Sequence, residues 1–194
     1  MTTPVVVAPI VEGDGEKLAV RGLITRIAMH FEQQWVEVAP PFMLNSGKMR
    51  KPEELARAIR IQAARVPDRG GVLVLRDGDD DDIKCPVELA QRLAPDPTLV
   101  TVPVEIVIAK HEYEAWFLAA ATSLRSHKVV RDDATIPADP EAKRDAKGQL
   151  RTMMHESYKP TLYQASFTDI MDLDEAAQNS RSFRRMISAV RKLL

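Results

Sequence analysis

Cysteine is almost absent from the sequence. The one residue, Cys85, cannot form a disulfide within the chain, so we expect a reducing, cytoplasmic compartment. Long apolar runs are missing too: none approaches the roughly 20 residues that a membrane helix needs, which predicts no membrane partner. The first residues lack a basic region and reach an acid at Glu12, so they are not typical of a signal peptide.

Net charge is also nearly absent. At −1 for 194 residues, the whole molecule gives no electrostatic argument for binding nucleic acid. A polyanion would therefore have to bind through local patches or through a metal. The sequence also lacks the Gly-rich Walker loop that ends in Gly-Lys-Ser/Thr, so any ATP hydrolysis would have to come from a partner.

The residues that are present fit one folded domain, with 45% hydrophobic and 28% charged side chains. Short apolar runs at 5–11, 35–44, 71–75 and 101–109 are typical of strands, and amphipathic helical patterns separate them. Such alternation predicts an α/β fold, a mostly parallel, Rossmann-like sheet flanked by helices. We place the core at 1–125, followed at 126–194 by a polar insertion or lid and a helical C-terminal portion packed on the core.

Acidic side chains follow two of the predicted strands. Glu12 comes directly after the first, Asp77 follows the apolar run at 71–75, and Asp79 lies two residues on, across a glycine. The carboxyl ends of parallel strands meet at one edge of a sheet, and alternate residues of an extended segment point the same way. Clustered carboxylates suit Mg²⁺ or Mn²⁺, which can stabilise charge on phosphorus and activate a water. The sequence therefore predicts a metal site.

Two further acids have more than one interpretation. Glu114 follows the strand at 101–109, so it is either a ligand at the same sheet edge or a helix N-terminal acid with only dipole value; Glu112 is the less favoured neighbour. Glu16 is a metal ligand or a capping partner of the preceding turn. The run at 80–82 is typical of a solvated loop, from which Asp80 or Asp82 could assist a second metal.

Basic residues near these motifs are candidates for phosphate contacts. Lys110 could stabilise the charge that develops on phosphorus, which makes it a catalytic candidate, and Lys159 is a second one. Nucleic-acid backbone contacts are assigned to Lys48, Arg50, Lys51 and Lys159. For each of them a solvated surface position remains the alternative. Trp116 and Phe117 lie at helical spacing among apolar residues and are predicted to be core.

The ordered set of motifs resembles a known family. The segment from Val11 through Glu12 and Gly13 to Glu16 resembles the first Toprim motif, and Asp77-Gly78-Asp79 resembles the Toprim Asp-x-Asp motif. Residues 114–119, a Tyr-Lys pair at 158–159 and the segment 180–183 resemble a bacterial group, the domain of unknown function 4276 family. The resemblance covers nearly the whole chain.

Toprim domains serve topoisomerases, primases and nucleases of the overcoming-lysogenisation-defect type. The resemblance implies Mg²⁺-dependent phosphodiester chemistry on DNA or RNA, with Glu12 as acid or base and Asp77 and Asp79 as ligands. Similar proteins stand beside a separately encoded ATPase in phage defence, which implies such a partner, and a homodimer is a further expectation.

Two other interpretations stay open. In the first, the site is vestigial and the protein is a regulatory module that docks on an ATPase through residues 180–194. In the second, Asp77 accepts phosphate in a receiver-like pocket, but the paired acids expected after the first strand are missing.

Overall fold

Parallel strands form the centre of the molecule in the computed structural model, which describes residues 3–79, 85–142 and 144–194. Within those ranges the sheet has five strands, all paired in parallel, in the order β2-β1-β4-β5, with β3 also on β1. They are β1 (Val5–Val11), β2 (Glu37–Val38), β3 (Phe42–Met43), β4 (Arg69–Asp77) and β5 (Val104–Ala109). The predicted parallel sheet is confirmed.

The prediction of one continuous strand at 35–44 is wrong. The structure divides it into β2 and β3, which pair with β1 at Val7 and Ile10 respectively. Pro40 and Pro41 lie between the two pieces. Proline has no backbone N–H to donate to a ladder, so a strand pattern that contains two prolines cannot pair throughout.

Helices cover both faces of the sheet, as predicted. Those in the described residues are α1 (Asp14–Glu32), α2 (Ser46–Met49), α3 (Pro52–Ala63), α4 (Pro86–Leu93), α5 (Glu114–Ala119), α6 (Ala121–Leu124), α7 (Ala146–Met153), α8 (Pro160–Ile170), α9 (Leu173–Asn179) and α10 (Arg181–Leu193). Helices α3 and α4 bury apolar side chains on one face, whereas α1, α5, α8 and α10 bury theirs on the other. None of the helices described is both long and apolar enough to cross a membrane.

The two aromatic residues of α5 belong to the core, which confirms that prediction. Trp116 and Phe117 are fully buried, and the Trp116 ring makes an edge contact with Phe183 of α10. The indole Nε1 donates a hydrogen bond of 2.8 Å to Ser182 Oγ. The indole N–H is therefore satisfied inside the core, and it connects the helix that follows β5 to the last helix.

The polar stretch between α6 and α7 packs against the core in the part that the structure describes. Val129, Val130 and Ala134 are buried, and Val130 forms an isolated bridge with Met154. The stretch ends at Asp145, which adopts a left-handed conformation (φ 71°) and accepts a hydrogen bond from Gly148 N. This cap fixes the start of α7. The domain boundary at residue 125 and the role of this stretch as a lid stay predictions.

Candidate functional site

The ends of three neighbouring strands bring acids together at one edge of the sheet. Glu12 directly follows β1, Asp77 is the last residue of β4, and Glu112 and Glu114 follow β5 within five residues. Because all three strands run in the same direction, their carboxyl ends open on the same side, where loops and helix N-termini also meet. The cluster is thus a product of the parallel topology.

Asp77 lies at the centre of this edge and is tied to both neighbouring strands. Its backbone N–H donates to Glu12 Oε2 at 3.1 Å, and its own Oδ1 accepts from Tyr113 N at 2.9 Å. Arg76 Nε stands 4.0 Å from Glu12 Oε2. The side chains of Glu12 and Asp77 are only 18% and 13% exposed. These bonds hold two acids in fixed positions with little water around them.

Lys147, in the first turn of α7, places its ammonium among three of the acids. Its Nζ lies 3.0 Å from Glu112 Oε1, 3.4 Å from Glu114 Oε2 and 3.8 Å from Asp77 Oδ2. Its backbone N–H also donates to Glu112 Oε2 at 3.0 Å. The carboxylates raise the pKa of Lys147 even though its burial opposes the charge, so the ammonium is permanently charged here.

Glu114 is the most deeply buried acid of the cluster, with no exposed surface. Its Oε1 accepts a hydrogen bond of 3.0 Å from the Tyr158 hydroxyl. Its Oε2 has no hydrogen-bond partner among the residues described and only the charge contact with Lys147. Burial raises the pKa of Glu114 to about 7 against the opposing effect of Lys147. This carboxyl therefore changes protonation state near neutral pH.

Asp77 and Glu12 share this tendency. Burial raises the pKa of Asp77 well above its usual range, and the charges of Glu16 and Glu114 add to the effect. Burial also raises the pKa of Glu12, although hydrogen bonds from Asp77 N and from the Ser46 hydroxyl oppose the shift. Largely buried acids that lie close together and have raised pKa values are typical of sites that bind a cation or move a proton.

Glu16 is buried in the first turn of α1, beside the other acids. Its Oε1 accepts from Gln164 Nε2 of α8 at 3.2 Å, and a Cβ at Gly13 would lie 2.6 Å from its Oε2. A Cβ at Gly15 would lie 1.8 Å from Gln164 Oε1, so α8 can approach only a glycine there. The glycines of the first motif therefore make room for Glu16 and for α8. The role of Glu16 as a ligand stays a prediction.

Two catalytic candidates take no part in the ion pairs of the cluster among the residues described, although the charge of Asp79 helps to raise the pKa of Glu12. Asp79 is exposed, and its carbonyl oxygen accepts a 3.0 Å bond from Arg144 Nη1. Lys110 lines a cavity along β5, and within the described ranges it makes no ion pair with the clustered acids. The left-handed turn at His111 (φ 65°) lies between Lys110 and the acids. Asp80 and Asp82 lie outside the described residues.

The basic residues predicted to contact nucleic acid are all exposed. Lys48 belongs to α2, whose Ser46 hydroxyl bonds to Glu12, and Lys159 directly follows Tyr158. Arg50 and Lys51 follow α2 and are exposed as well. The contacts of all four with phosphate stay a prediction.

Lys147 is the main residue that sequence patterns do not indicate. It lies in a polar segment with no strand end or motif beside it, and only the fold carries it to the acids. Tyr158 belongs to a family-like pair, but nothing in that pair predicts its hydrogen bond to Glu114. Gln164 has no sequence signal apart from its place on a helix.

The donor chemistry of the cluster fits a hard divalent cation. Carboxylate oxygens are the ligands that Mg²⁺ and Mn²⁺ prefer, and Glu114 Oε2 lacks a hydrogen-bond partner in the described part of the chain. However, no three His, Cys, Asp or Glu side chains among the residues described already stand close enough together to share a metal ion. Glu12, Asp77 and Glu114 would therefore hold a cation only after small side-chain movements.

We expect Glu114→Gln to stabilise the metal-free protein at pH 8 but not at pH 4. An acid with a folded-state pKa near 7 and an ordinary value of 4.5 destabilises the fold progressively as pH rises between these values. Each tenfold change in a protonation equilibrium corresponds to about 1.4 kcal/mol, so the penalty above pH 7 is about 3 kcal/mol. Part of this gain in stability is lost again, because Glu114→Gln also removes the favourable charge contact between Lys147 and Glu114.

Urea unfolding in chelator at the two pH values measures this effect. Glu53→Gln, in the exposed first turn of α3, is the matched control. It should have a small effect on the free energy of unfolding, and the same effect at both pH values. An unchanged pH dependence in Glu114→Gln would show that this carboxyl is not the buried titrating group.

A parallel α/β domain with buried acids gathered at its strand ends is the class that the fold and the site define. The chain belongs to the family described as Domain of unknown function (DUF4276), whose model matches residues 11–191. The resemblance seen in the sequence motifs is thereby confirmed.

Two solved structures that match the chain over nearly its whole length come from different bacteria. The chain is 14% identical to the C-terminal region of the Burkholderia pseudomallei OLD protein, with 98% of each chain covered and a TM-score of 0.44. It is 11% identical to the corresponding region of the Xanthomonas campestris pv. campestris OLD protein, with 96% of this chain and 92% of that chain covered and a TM-score of 0.42. No curated protein matches the chain.

Proposed function

We propose that this protein is a Mg²⁺- or Mn²⁺-dependent nuclease that cleaves phosphodiester bonds of DNA or RNA. The observation that carries the proposal is the cluster of desolvated acids at the ends of β1, β4 and β5, with Lys147 among them. The motif resemblance to Toprim domains supports the same chemistry. By analogy with the proteins that it resembles, we propose that it is the effector of a phage-defence system. Its partner in that system would be a separately encoded ATPase.

Each residue of the cluster has its own part in this chemistry. Glu12, Asp77 and Glu114 would hold the divalent cation, which when bound would supply a Lewis acid and an activated water. Glu12, with its raised pKa and a fixed hydrogen bond from Asp77 N, accepts or donates a proton near the reacting phosphate. Lys147 brings a permanent positive charge to the position where negative charge builds up on the phosphate oxygens.

Tyr158 and Tyr113 act as positioning groups in this scheme. The Tyr158 hydroxyl donates to Glu114 Oε1, and the Tyr113 N–H donates to Asp77 Oδ1. Each bond fixes one oxygen of a carboxylate and leaves the other directed toward Lys147. The exposed basic residues Lys48, Arg50, Lys51 and Lys159 would hold the nucleic-acid backbone.

A second candidate function is favoured by Lys147 itself. Its ammonium pairs with three acids, as expected for a vestigial site, in a non-catalytic partner of an ATPase, where a lysine takes the place of the metal. In that case α10, with its exposed basic side chains, is the docking surface. The two functions differ in one measurable property, which is the binding of a divalent cation.

Calorimetry with Mn²⁺ tests the proposal directly. We expect the wild-type protein to bind the ion with measurable heat and Glu12→Gln to bind it about tenfold more weakly or not at all, because a buried ligand charge is lost. Glu37→Gln, on the exposed face of β2, is the control and should bind as the wild type does. A wild-type protein that binds no Mn²⁺ would overturn the nuclease proposal and support the vestigial site.

A further inference from the structure

A cavity of about 620 Å³ runs along the free edge of the sheet, away from the clustered acids. Strand β5 forms its floor, α4 borders one side and the first turns of α10 border the other. The volume is in the range of known ligand sites. Within the described ranges β5 pairs only with β4, so its second side meets no other strand.

The backbone of β5 presents to this cavity hydrogen-bonding groups that no other strand of the described residues uses. In a parallel ladder the N–H and C=O groups of alternate residues point to one neighbour, and those of the residues between point away. The bond from Val72 N to Pro103 O, of 2.9 Å, directs the odd-numbered residues toward β4. Val104, Ile106 and Ile108 therefore direct their backbone groups outward.

This edge lacks the usual protection of a sheet border. Strand β5 is six residues long, has no proline within it, and carries one charged side chain, Glu105. That charge is paired with Arg185 at 3.4 Å and Lys192 at 3.1 Å. Natural proteins usually shorten, charge or cover an edge strand, because an open one adds further strands. The cavity on β5 is thus a place where an extended segment can pair.

The two walls of the cavity differ in chemistry. The α4 side is apolar, since Val87 and Ala90 lie there above the side chains of Ile106 and Ile108. Both isoleucines are nearly fully buried, whereas Val87 is 52% exposed. A side chain that entered on this side would gain by leaving water.

The α10 side is cationic. Arg181 is exposed and, within the described ranges, its side chain makes no ion pair. Arg184 Nη1 donates to the carbonyl oxygens of Ala177 and Gln178, which are neutral acceptors and leave its charge uncompensated by any acid in the described part of the chain.

The other anion on this side is already in use. Glu141 accepts hydrogen bonds from Ser182 N and Arg181 N at 3.0 and 3.1 Å, so it caps the start of α10. Because Glu141 bonds to the backbone of Arg181 and not to its guanidinium, the charge of the Arg181 side chain is available to a ligand.

We propose that the β5 edge binds an extended segment of a partner protein as an added strand, in which apolar and acidic residues alternate. Successive side chains of a strand point to opposite faces. The apolar set of the partner would pack against α4, while its carboxylates would face the arginines of α10. A second copy of this chain fits less well, because its own arginines would meet these. Nucleic acid would make no use of the apolar wall.

Fluorescence anisotropy with a synthetic peptide tests the proposal. The probe is a fluorescein-labelled nonapeptide in which valine and glutamate alternate. We expect saturable binding, and at least tenfold weaker binding of two peptide controls, since strand pairing needs both register and backbone donors. One control has the same residues with the glutamates grouped, and the other is N-methylated at alternate amides.

Protein variants give the second arm of this experiment. Arg184→Glu removes a charge from the cationic wall and Ala90→Arg fills the apolar one, and each should weaken the peptide at least tenfold. Arg57→Glu, exposed on α3, should leave it unchanged. Circular dichroism verifies folding, and the peptide controls do not depend on it.

Three outcomes would overturn the proposal. The first is equal binding of the grouped or N-methylated peptide, because no strand would then be added. The second is a dimer in sedimentation that Ala90→Arg dissociates, because the edge would then serve a second copy. The third is displacement of the peptide by a single-stranded oligonucleotide at equal concentration, because the arginines would then serve nucleic acid.

Discussion

Asp77→Asn is expected to reduce Mn²⁺-dependent cleavage by about 10³-fold, the upper range for removing one preorganised charged group. Asp77 is the residue through which the strand ends are linked: it donates to Glu12 and accepts from Tyr113. Asparagine keeps an oxygen for the Tyr113 N–H, so the fold is retained while the charge that would hold the cation is lost. The loss should therefore fall on activity and metal affinity. The metal-free fold should not lose thermal stability at neutral pH, because the variant removes a buried carboxyl whose ionisation the fold disfavours.

The measurement is the initial rate of cleavage of supercoiled plasmid and of labelled RNA, with melting temperature as the check on folding. Asp68→Asn offers a matched control, since Asp68 is exposed and directly precedes the opposite end of β4. It should cleave as the wild type does. If Asp77→Asn and the wild type cleave at the same rate, the strand-end acids are not the active site.

Lys147→Met is expected to lower cleavage by about 10²-fold and to change how stability depends on pH. Lys147 opposes the rise in the pKa of both Asp77 and Glu114, so its removal raises both values further. Above neutral pH the acids are charged without their counter-ion, and the loss in stability should reach about 2 kcal/mol. As the pH falls through the raised pKa values of Asp77 and Glu114, both carboxyls become neutral in both proteins, and the loss should largely disappear.

This variant also separates the two proposed functions. In a working nuclease, Lys147→Met still binds Mn²⁺ while cleavage falls. In a vestigial site, where the ammonium takes the place of the metal, the same change leaves three acids uncompensated and creates Mn²⁺ binding that the wild type lacks. Lys128→Met, at an exposed position on the same polar stretch, is the control for loss of a lysine charge. Wild-type cleavage and wild-type pH dependence in Lys147→Met would contradict both accounts of this residue.

The sequence was sufficient for those parts of the fold and of the site that depend on local patterns. Buried strands alternating with amphipathic helices predict a parallel sheet, and an acid directly after a strand must lie at its carboxyl end. This is why the positions of Glu12 and Asp77 could be foreseen. Pro40 and Pro41 stand in the sequence, but the apolar residues on both sides of them favoured one continuous strand. The break between β2 and β3 was therefore not predicted.

The rest of the site depends on the path of the chain over long distances. Lys147 meets Glu112 and Glu114 only because the chain between α6 and α7 folds back over the core, and no periodic pattern encodes that path. Lys110, next to the predicted strand end, was a candidate because a cation there could stabilise charge on phosphorus, with a solvated surface position as the alternative. The left-handed turn at His111 then redirects the chain, and Tyr113 beyond it is the residue that bonds to Asp77. Adjacency along the sequence is a poor guide across such a turn.

The two borders of the sheet have different consequences for assembly. On the β1 side, the border is made of strands of only two residues each, separated by Pro40 and Pro41. Such a border offers too short a ladder to template another strand. In the proposed binding mode, strands are added on the β5 side alone. Copies of this chain therefore cannot join edge to edge into a growing fibre. Any complex built through this sheet is therefore finite, with one added strand for each molecule.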